Sequence, residues 1–519
     1  MDTTRASGVL LHPTSFPGPD GIGDIGPEAF RFLDFLAESG CQIWQILPLG
    51  PTGYGDSPYQ CFSAIAGNPY LVSPAELLDE GLLKIQDLND RPDFPTGYVD
   101  FGPAITWKNK IMDRAYENFS KSKKKNYRDE FEQFCHENEA WLDDYALFMA
   151  IKERNEGSPW NLWPNDLRTR EVQAIESFKK NFPKIIEKQK FNQYIFFKQW
   201  RQVREYANKL GIKIIGDIPF VIAYDSADAW SNQTLFFLDE NSLPTVVAGV
   251  PPDYFSKTGQ LWGNPLYRWD NHKRDGYSWW LERIKSVLKM VDIIRLDHFR
   301  GFAANWEVPY GKPTAEIGRW VKGPGHDFFQ TIKDKLGELP IIAEDLGVIT
   351  EDVVDIRDTF GLPGMKIFQF SFASDADDAF LPHNYPVNCY AYTGTHDNDT
   401  AVGWYRSASE REKDFCRRYM AVSGEDIAWS MIRCLWQSVA AKVVAPMQDL
   451  LSLGSDARMN LPGSPSGNWS WRILPSDLNS FIKSRLYEVN FLYGRLPETA
   501  KEKIKADLKA QTGDEVKPH

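Results

Sequence analysis

Acidic side chains recur at the ends of short apolar runs, in settings that suit different chemistry. The segment 294–302 reads IRLDHFRGF, with Arg295 two residues before Asp297. On an extended strand that spacing turns both side chains to one side. A cation beside a carboxylate keeps it ionised, as a nucleophile must be; a structural ion pair fits the same two residues. Glu344 follows the apolar run 341–343. That setting lifts a carboxyl's pKa towards acid work, unless the residue is a solvated charge at a strand end. The turn 394–400, GTHDNDT, presents His396 and Asp397 to a ligand, or uses Asp397 to close the turn. Asp217 ends the run 212–217, and Asp345 follows Glu344.

These residues are far apart in the chain, so a scaffold has to gather them. Eight β-type apolar runs are readable, at 8–11, 43–48, 212–217, 292–297, 340–344, 365–370, 389–394 and 442–447. Helical patterns lie between many of them. Pro27 opens one such pattern and Gly40 stops it, and the stretch 193–210 ends at Gly211. Eight strand–helix alternations predict an α/β fold, a (β/α)8 TIM barrel, whose active site forms at the C-terminal ends of the strands. Asp217, Asp297, Glu344 and the turn with His396 and Asp397 all fall at such ends. The whole chain, 1–519, reads as one catalytic barrel with insertions on that rim. One insertion spans about 53–195, with a Lys- and Glu-rich helical part at 107–190. A second spans about 225–285 and contains the Gly-, Pro- and aromatic-rich loop 249–265, and 497–519 is a polar tail.

Composition narrows the partners. Asp plus Glu total 71 against 59 Lys plus Arg, a net charge of −12, which disfavours a nucleic-acid backbone. The six cysteines are scattered without zinc or redox spacing, so reduced thiols are expected. No signal-peptide core or membrane-length apolar run is present. The expected setting is the cytosol, or a plastid stroma after removal of a transit peptide. Aromatics make up 14% of the chain, with 18 Trp, and flat rings of that kind pack cores or stack on sugars. A pair of carboxylates flanking one bond, roughly 5–5.5 Å apart, is the apparatus of a retaining glycosidase. A third can support positive charge at the anomeric carbon.

The motifs around these residues closely resemble those of glycoside hydrolase family 77, the 4-α-glucanotransferases, also called amylomaltases or disproportionating enzymes. They are LLHPTSFPG from Leu10, PTGYGDSPYQ from Pro51, GDIPF from Gly216 and VAGVPPDYFSKTGQLWGNPLY from Val247. RLDHFRGF, IIAEDLG from Ile341, GTHDNDT, RMNLPG from Arg458 and GNWSWR from Gly467 complete the set. The resemblance runs from about residue 8 to residue 496. It implies that Asp297 is the nucleophile, Glu344 the general acid/base and Asp397 the transition-state stabiliser. Arg295 and His396 are implied to contact the reacting sugar, with Ser57, Tyr59, Asp217 and His298 also in the substrate-binding set. Trp262 is implied as a platform for the leaving or acceptor glucose. Tyr59 and Trp262 as core residues, and Asp217 as a turn cap, are the plainer readings.

The implied reaction moves α-1,4-glucan segments between maltodextrins, starch or glycogen fragments, with glucose as an acceptor, and needs no cofactor or metal. A monomer or weak homodimer with no nucleic-acid or membrane partner is expected. PTGYGDSPYQ looks like the bacterial form of the family, which favours a cytosolic over a plastid setting. Two rivals remain at this point: an α-amylase-type hydrolase and a catalytically silent glucan-binding protein.

Overall fold

Strands too short to stand alone are held in a closed ring. The computed structural model describes residues 3–122, 125–252, 256–464 and 466–512. In chain order its strands are β1 (Ala6–Leu10), β2 (Ile43–Gln45), β3 (Lys213–Ile218), β4 (Val246–Val250), β5 (Gln260–Pro265) and β6 (Ile293–Leu296). They continue with β7 (Ala304–Pro309), β8 (Arg319–Lys322), β9 (Ile341–Ala343), β10 (Gly364–Ile367), β11 (Cys389–Tyr392) and β12 (Lys442–Pro446). One sheet, all parallel, runs β10-β11-β12-β1-β2-β3-β6-β9. Its two ends meet. The Ala343 N–H donates to Pro363 O at 2.9 Å, and the Met365 N–H donates to the Asp345 carboxylate at 2.7 Å.

Each of the eight apolar runs overlaps one strand of this (β/α)8 barrel, with β1, β3 and β10 reaching one or two residues past the expected bounds. Every strand also sends a side chain into one interior cluster: Leu10, Ile43, Ile215, Ile293, Ile342, Met365, Tyr392 and Val444. A parallel strand is covered on both faces, which is why it reads as a near-continuous apolar run.

The helical stretch expected over 107–190 runs further at both ends. Helices occupy Phe101–Lys121, Lys125–Glu137, Glu139–Arg154 and Val172–Asn181, and Pro183–Lys209 is a single helix. Its buried stripe, Phe191, Tyr194, Ile195, Val203 and Ala207, crosses the expected boundary unbroken. No Pro or Gly interrupts it before Gly211, whose φ of +76° ends the helix.

A second sheet, β5-β4-β7-β8, is antiparallel and sits on the rim. Its halves come from either side of barrel strand β6, so it is not the product of one insertion. Within the loop 249–265, residues 253–255 lie outside the described residues. The tail forms a helix, Glu498–Thr512, and 513–519 lie outside them as well. Among the described residues no helix is long and apolar enough to cross a membrane.

Candidate active site

Going up the barrel interior, apolar side chains give way to charged ones. Residues two apart on a strand share a face, so Ile215 is followed by Asp217, Ile293 by Arg295 and then Asp297, and Ile342 by Glu344. The register pairs Asp217 with Arg295 and Leu296 with Ala343. The ladder continues one residue past the strand ends: Asp297 N–H donates to Ile218 O and Glu344 N–H to Leu296 O, both at 3.0 Å. Asp297 and Glu344 therefore occupy neighbouring places on neighbouring strands, whose spacing is roughly 4.8 Å.

The backbone then turns sharply at His298, which is left-handed at φ 48° and ψ 50°. For a non-glycine residue this costs roughly 1–2 kcal/mol. The turn aims the His298 N–H at Glu344 Oε2, 2.7 Å away, while Leu346 N–H donates to Oε1 at 3.2 Å.

Arg295 lies beneath this pair. Its Nη1 is 2.5 Å from Asp217 Oδ2 and 2.8 Å from Asp297 Oδ1. The Arg295 and Asp217 side chains are 4% and 1% exposed, whereas Asp297 is 27% exposed and so accessible from solvent. Tyr59 donates its hydroxyl to Asp217 Oδ2 at 2.7 Å and stacks on His396, with ring centroids 5.1 Å apart and planes 17° apart. His396 Nε2 is 3.4 Å from Asp397 Oδ2. Asn460 donates to Asp397 Oδ1 at 2.6 Å, and Arg458 donates to the Asp397 carbonyl at 2.5 Å. Trp262, on β5, meets His298 edge to face at 4.8 Å and 83°. Ser57 sits one step back: its hydroxyl accepts the Tyr59 N–H at 3.2 Å, fixing the turn that presents Tyr59 rather than touching a carboxylate.

Environment separates the acids. Burial holds the Glu344 carboxyl well above the usual carboxylate range, and Asp297 adds to this against the pull of Arg295 and the His298 N–H. Burial also pushes Asp217 upward, opposed by Arg295 and the Tyr59 hydroxyl. The His298 imidazole is lowered to about 4 and that of His396 is lowered too, both by burial, so His298 is neutral at pH 7. The arrangement sets a carboxyl held by Arg295 beside one lifted by burial, which suits acid-assisted displacement at a single bond. Among the described residues no group of three His, Cys, Asp or Glu gathers as metal ligands.

The profile of glycoside hydrolase family 77, 4-alpha-glucanotransferase, matches residues 11–477. The chain belongs to this family. The 4-alpha-glucanotransferase of Thermus thermophilus is 51% identical over 494 residues, covering 94% of this chain and 98% of its own length. The chloroplastic/amyloplastic 4-alpha-glucanotransferase of Solanum tuberosum is 44% identical over 503 residues, 95% of this chain and 87% of its own. A solved structure, the amylomaltase from Streptococcus agalactiae in complex with acarbose, superposes with a TM-score of 0.92 at 41% identity, covering 95% of this chain and all of the other. As a family 77 4-alpha-glucanotransferase, the chain is an enzyme acting on α-glucans.

Of the candidate residues, Tyr59, Asp217, Arg295, Asp297, His396 and Asp397 form one connected chain of contacts, and Glu344, His298 and Trp262 a second that joins it at the 297–298 step. Asn460 and Arg458 were not singled out in the sequence, although RMNLPG contains both. Asp345 also belongs elsewhere. It accepts from Met365 N–H and from Arg357 at 2.6 Å, so it closes the barrel seam.

Arg295 serves two acids at once, and that gives a stability prediction. Arg295→Met leaves buried Asp217 without its cation and should lower the unfolding free energy by about 3–5 kcal/mol at neutral pH. In the variant the folded Asp217 pKa lies further above its unfolded value, so the penalty grows as pH rises and shrinks in acid. Urea unfolding at several pH values measures this; a pH-independent loss contradicts it.

Proposed function

We propose that this enzyme disproportionates α-1,4-glucans by a retaining double displacement, with Asp297 as nucleophile, Glu344 as general acid and base, and Asp397 as the support for the charged transition state. The Asp297 carboxylate attacks the anomeric carbon of the donor. The bond from that carbon to the leaving oxygen breaks as Glu344 gives that oxygen its proton, and the leaving glucan departs from a β-linked glucosyl-enzyme. Glu344, now a carboxylate, takes the proton of an acceptor's 4-hydroxyl. The acceptor oxygen attacks the same carbon, expels Asp297 and restores the α bond.

One observation carries this reading above the others: Asp297 and Glu344 stand side by side at the ends of β6 and β9, one held by Arg295 and the other lifted by burial. Arg295, His396, His298, Tyr59 and Asp217 surround the reacting sugar in this reading, with Ser57 shaping the turn. Maltodextrins and starch or glycogen fragments are the donors, glucose is an acceptor, and the bacterial-type PTGYGDSPYQ loop supports a cytosolic setting. Maltotriose is the simplest test. Transfer gives glucose plus a ladder of longer maltodextrins, whereas a hydrolase gives only shorter sugars.

Water competes for the glucosyl-enzyme, so transfer requires that it be kept out. Trp262 is partly buried, projects from the rim sheet and packs on His298, next to both catalytic acids in this reading. It is the side chain best placed to hold an acceptor ring and exclude water. Trp262→Ala should raise the ratio of hydrolysis to transfer by about 3- to 10-fold, read as reducing-end release against longer-product formation. Equal slowing of both reactions ends the gating idea.

A further inference from the structure

The turn 394–400, which carries His396 and Asp397, is tied at both ends to one carboxylate from the segment that follows β12. Asp449, 1% exposed, lies in the helical turn Met447–Leu450 directly after β12. Its Oδ2 accepts from the Thr393 hydroxyl at 2.5 Å, and its Oδ1 accepts from the Ala401 N–H at 2.7 Å. Thr393 is the first residue past β11, and Ala401 opens the helix Ala401–Ser407. The two donors thus flank the turn on either side.

The base of this clamp is itself fixed. Trp429 Nε1 donates to Leu450 O at 3.1 Å, and Gln448 Nε2 donates to Ala457 O at 3.2 Å. The same downstream segment sends Asn460 to the Asp397 carboxylate. Bonds within the turn, such as Thr395 N–H to Asn398 Oδ1 at 2.9 Å, set its shape but not its place over the barrel.

We propose that Asp449 is a positioning residue, which holds Asp397 at the reacting sugar by clamping both ends of its turn. The proposal rests on the transition-state role given to Asp397 above. Capping alone does not account for the arrangement. The helix Ala401–Ser407 already has a cap, since the Thr400 hydroxyl accepts the Gly403 N–H at 3.0 Å. A buried carboxylate is a costly way to satisfy one further N–H. It is suited to bridging two points of the chain, because both its bonds are charge-assisted and directional.

The test compares Thr393→Val, Asp449→Ala and Asp449→Asn in disproportionation of maltotetraose. A displacement of about 1 Å costs about 100-fold in rate, so Asp449→Ala should lower kcat about 100-fold and Thr393→Val about 10-fold. KM should stay within about 2-fold in each, because transition-state stabilisation is lost rather than ground-state binding. Asp449→Asn keeps one acceptor and should fall between wild type and Asp449→Ala. In an Asp397→Ala background, assayed with α-maltosyl fluoride, the clamp variants should cost no more than about a further 2-fold, as expected of residues acting through one another.

If Asp449→Ala does not fold, Thr393→Val carries the test, because it exchanges only a hydroxyl for a methyl. An unchanged kcat in Thr393→Val, or the full loss repeated without Asp397, overturns the clamp. Full activity in Asp397→Ala alone overturns the role of Asp397 instead, and the two failures are distinct.

Discussion

Asp297→Asn will lower kcat on maltotriose by at least about 10⁴-fold, the scale on which loss of a nucleophile is felt, while binding of the donor changes little. The substitution is nearly isosteric. An amide oxygen at that place still accepts from Arg295 Nη1, now 2.8 Å from Oδ1. The buried Arg295–Asp217 pair, at 2.5 Å, is untouched. A residue present only as half of an ion pair would show the opposite pattern, with stability reduced and turnover retained.

Asp297→Ala sharpens the assignment. Given α-maltosyl fluoride and azide, it has room for the anion where the carboxylate stood. Azide then attacks the anomeric carbon directly, fluoride leaves, and the product is the β-azide. Retention of more than about a tenth of the wild-type rate in Asp297→Asn is incompatible with covalent catalysis by this residue, and an α-azide from Asp297→Ala equally so.

The parts of this enzyme that could be read from sequence are those whose cause is local. A barrel strand is buried on both faces, so runs such as 212–217 and 442–447 stand out without any partner being known. Their C-terminal ends share one rim by construction, so Asp217, Asp297 and Glu344 could be brought together on paper. The rim sheet was not legible for the opposite reason. β4 and β5 precede β6 while β7 and β8 follow it, and Gly249 pairs with Trp306 across that strand. Pairing over such distances leaves no local period. Asn460 is similar: it reaches Asp397 across 63 positions, and only the folded turn explains why an amide is needed there. Trp262 could be named by the resemblance, but its contact with His298 depends on the sheet that the sequence concealed.

Glu344→Gln should separate the two chemical duties that the double displacement gives one residue. Burial keeps the Glu344 carboxyl protonated to a higher pH than an exposed glutamate would manage. The acid form drives bond cleavage, so kcat/KM on maltotriose falls as pH rises through that raised pKa, and the alkaline limb belongs to Glu344. Glutamine cannot give up a proton. The variant should therefore lose about 10³- to 10⁴-fold on maltotriose and lose the limb with it.

Fluoride leaves without protonation, so Glu344→Gln should still form the glucosyl-enzyme from α-maltosyl fluoride and then stall for want of a base. Azide needs no base. It should release the stalled intermediate by attacking the β-linked carbon and expelling Asp297, giving the α-azide. The anomer formed is then the decisive readout: β when Asp297 is missing and α when Glu344 is replaced, two opposite products from neighbouring carboxylates. A glucosyl-enzyme formed as slowly from α-maltosyl fluoride as from maltotriose, or a β-azide from Glu344→Gln, would mean that the proton comes from elsewhere and that the raised pKa of Glu344 only reflects its burial.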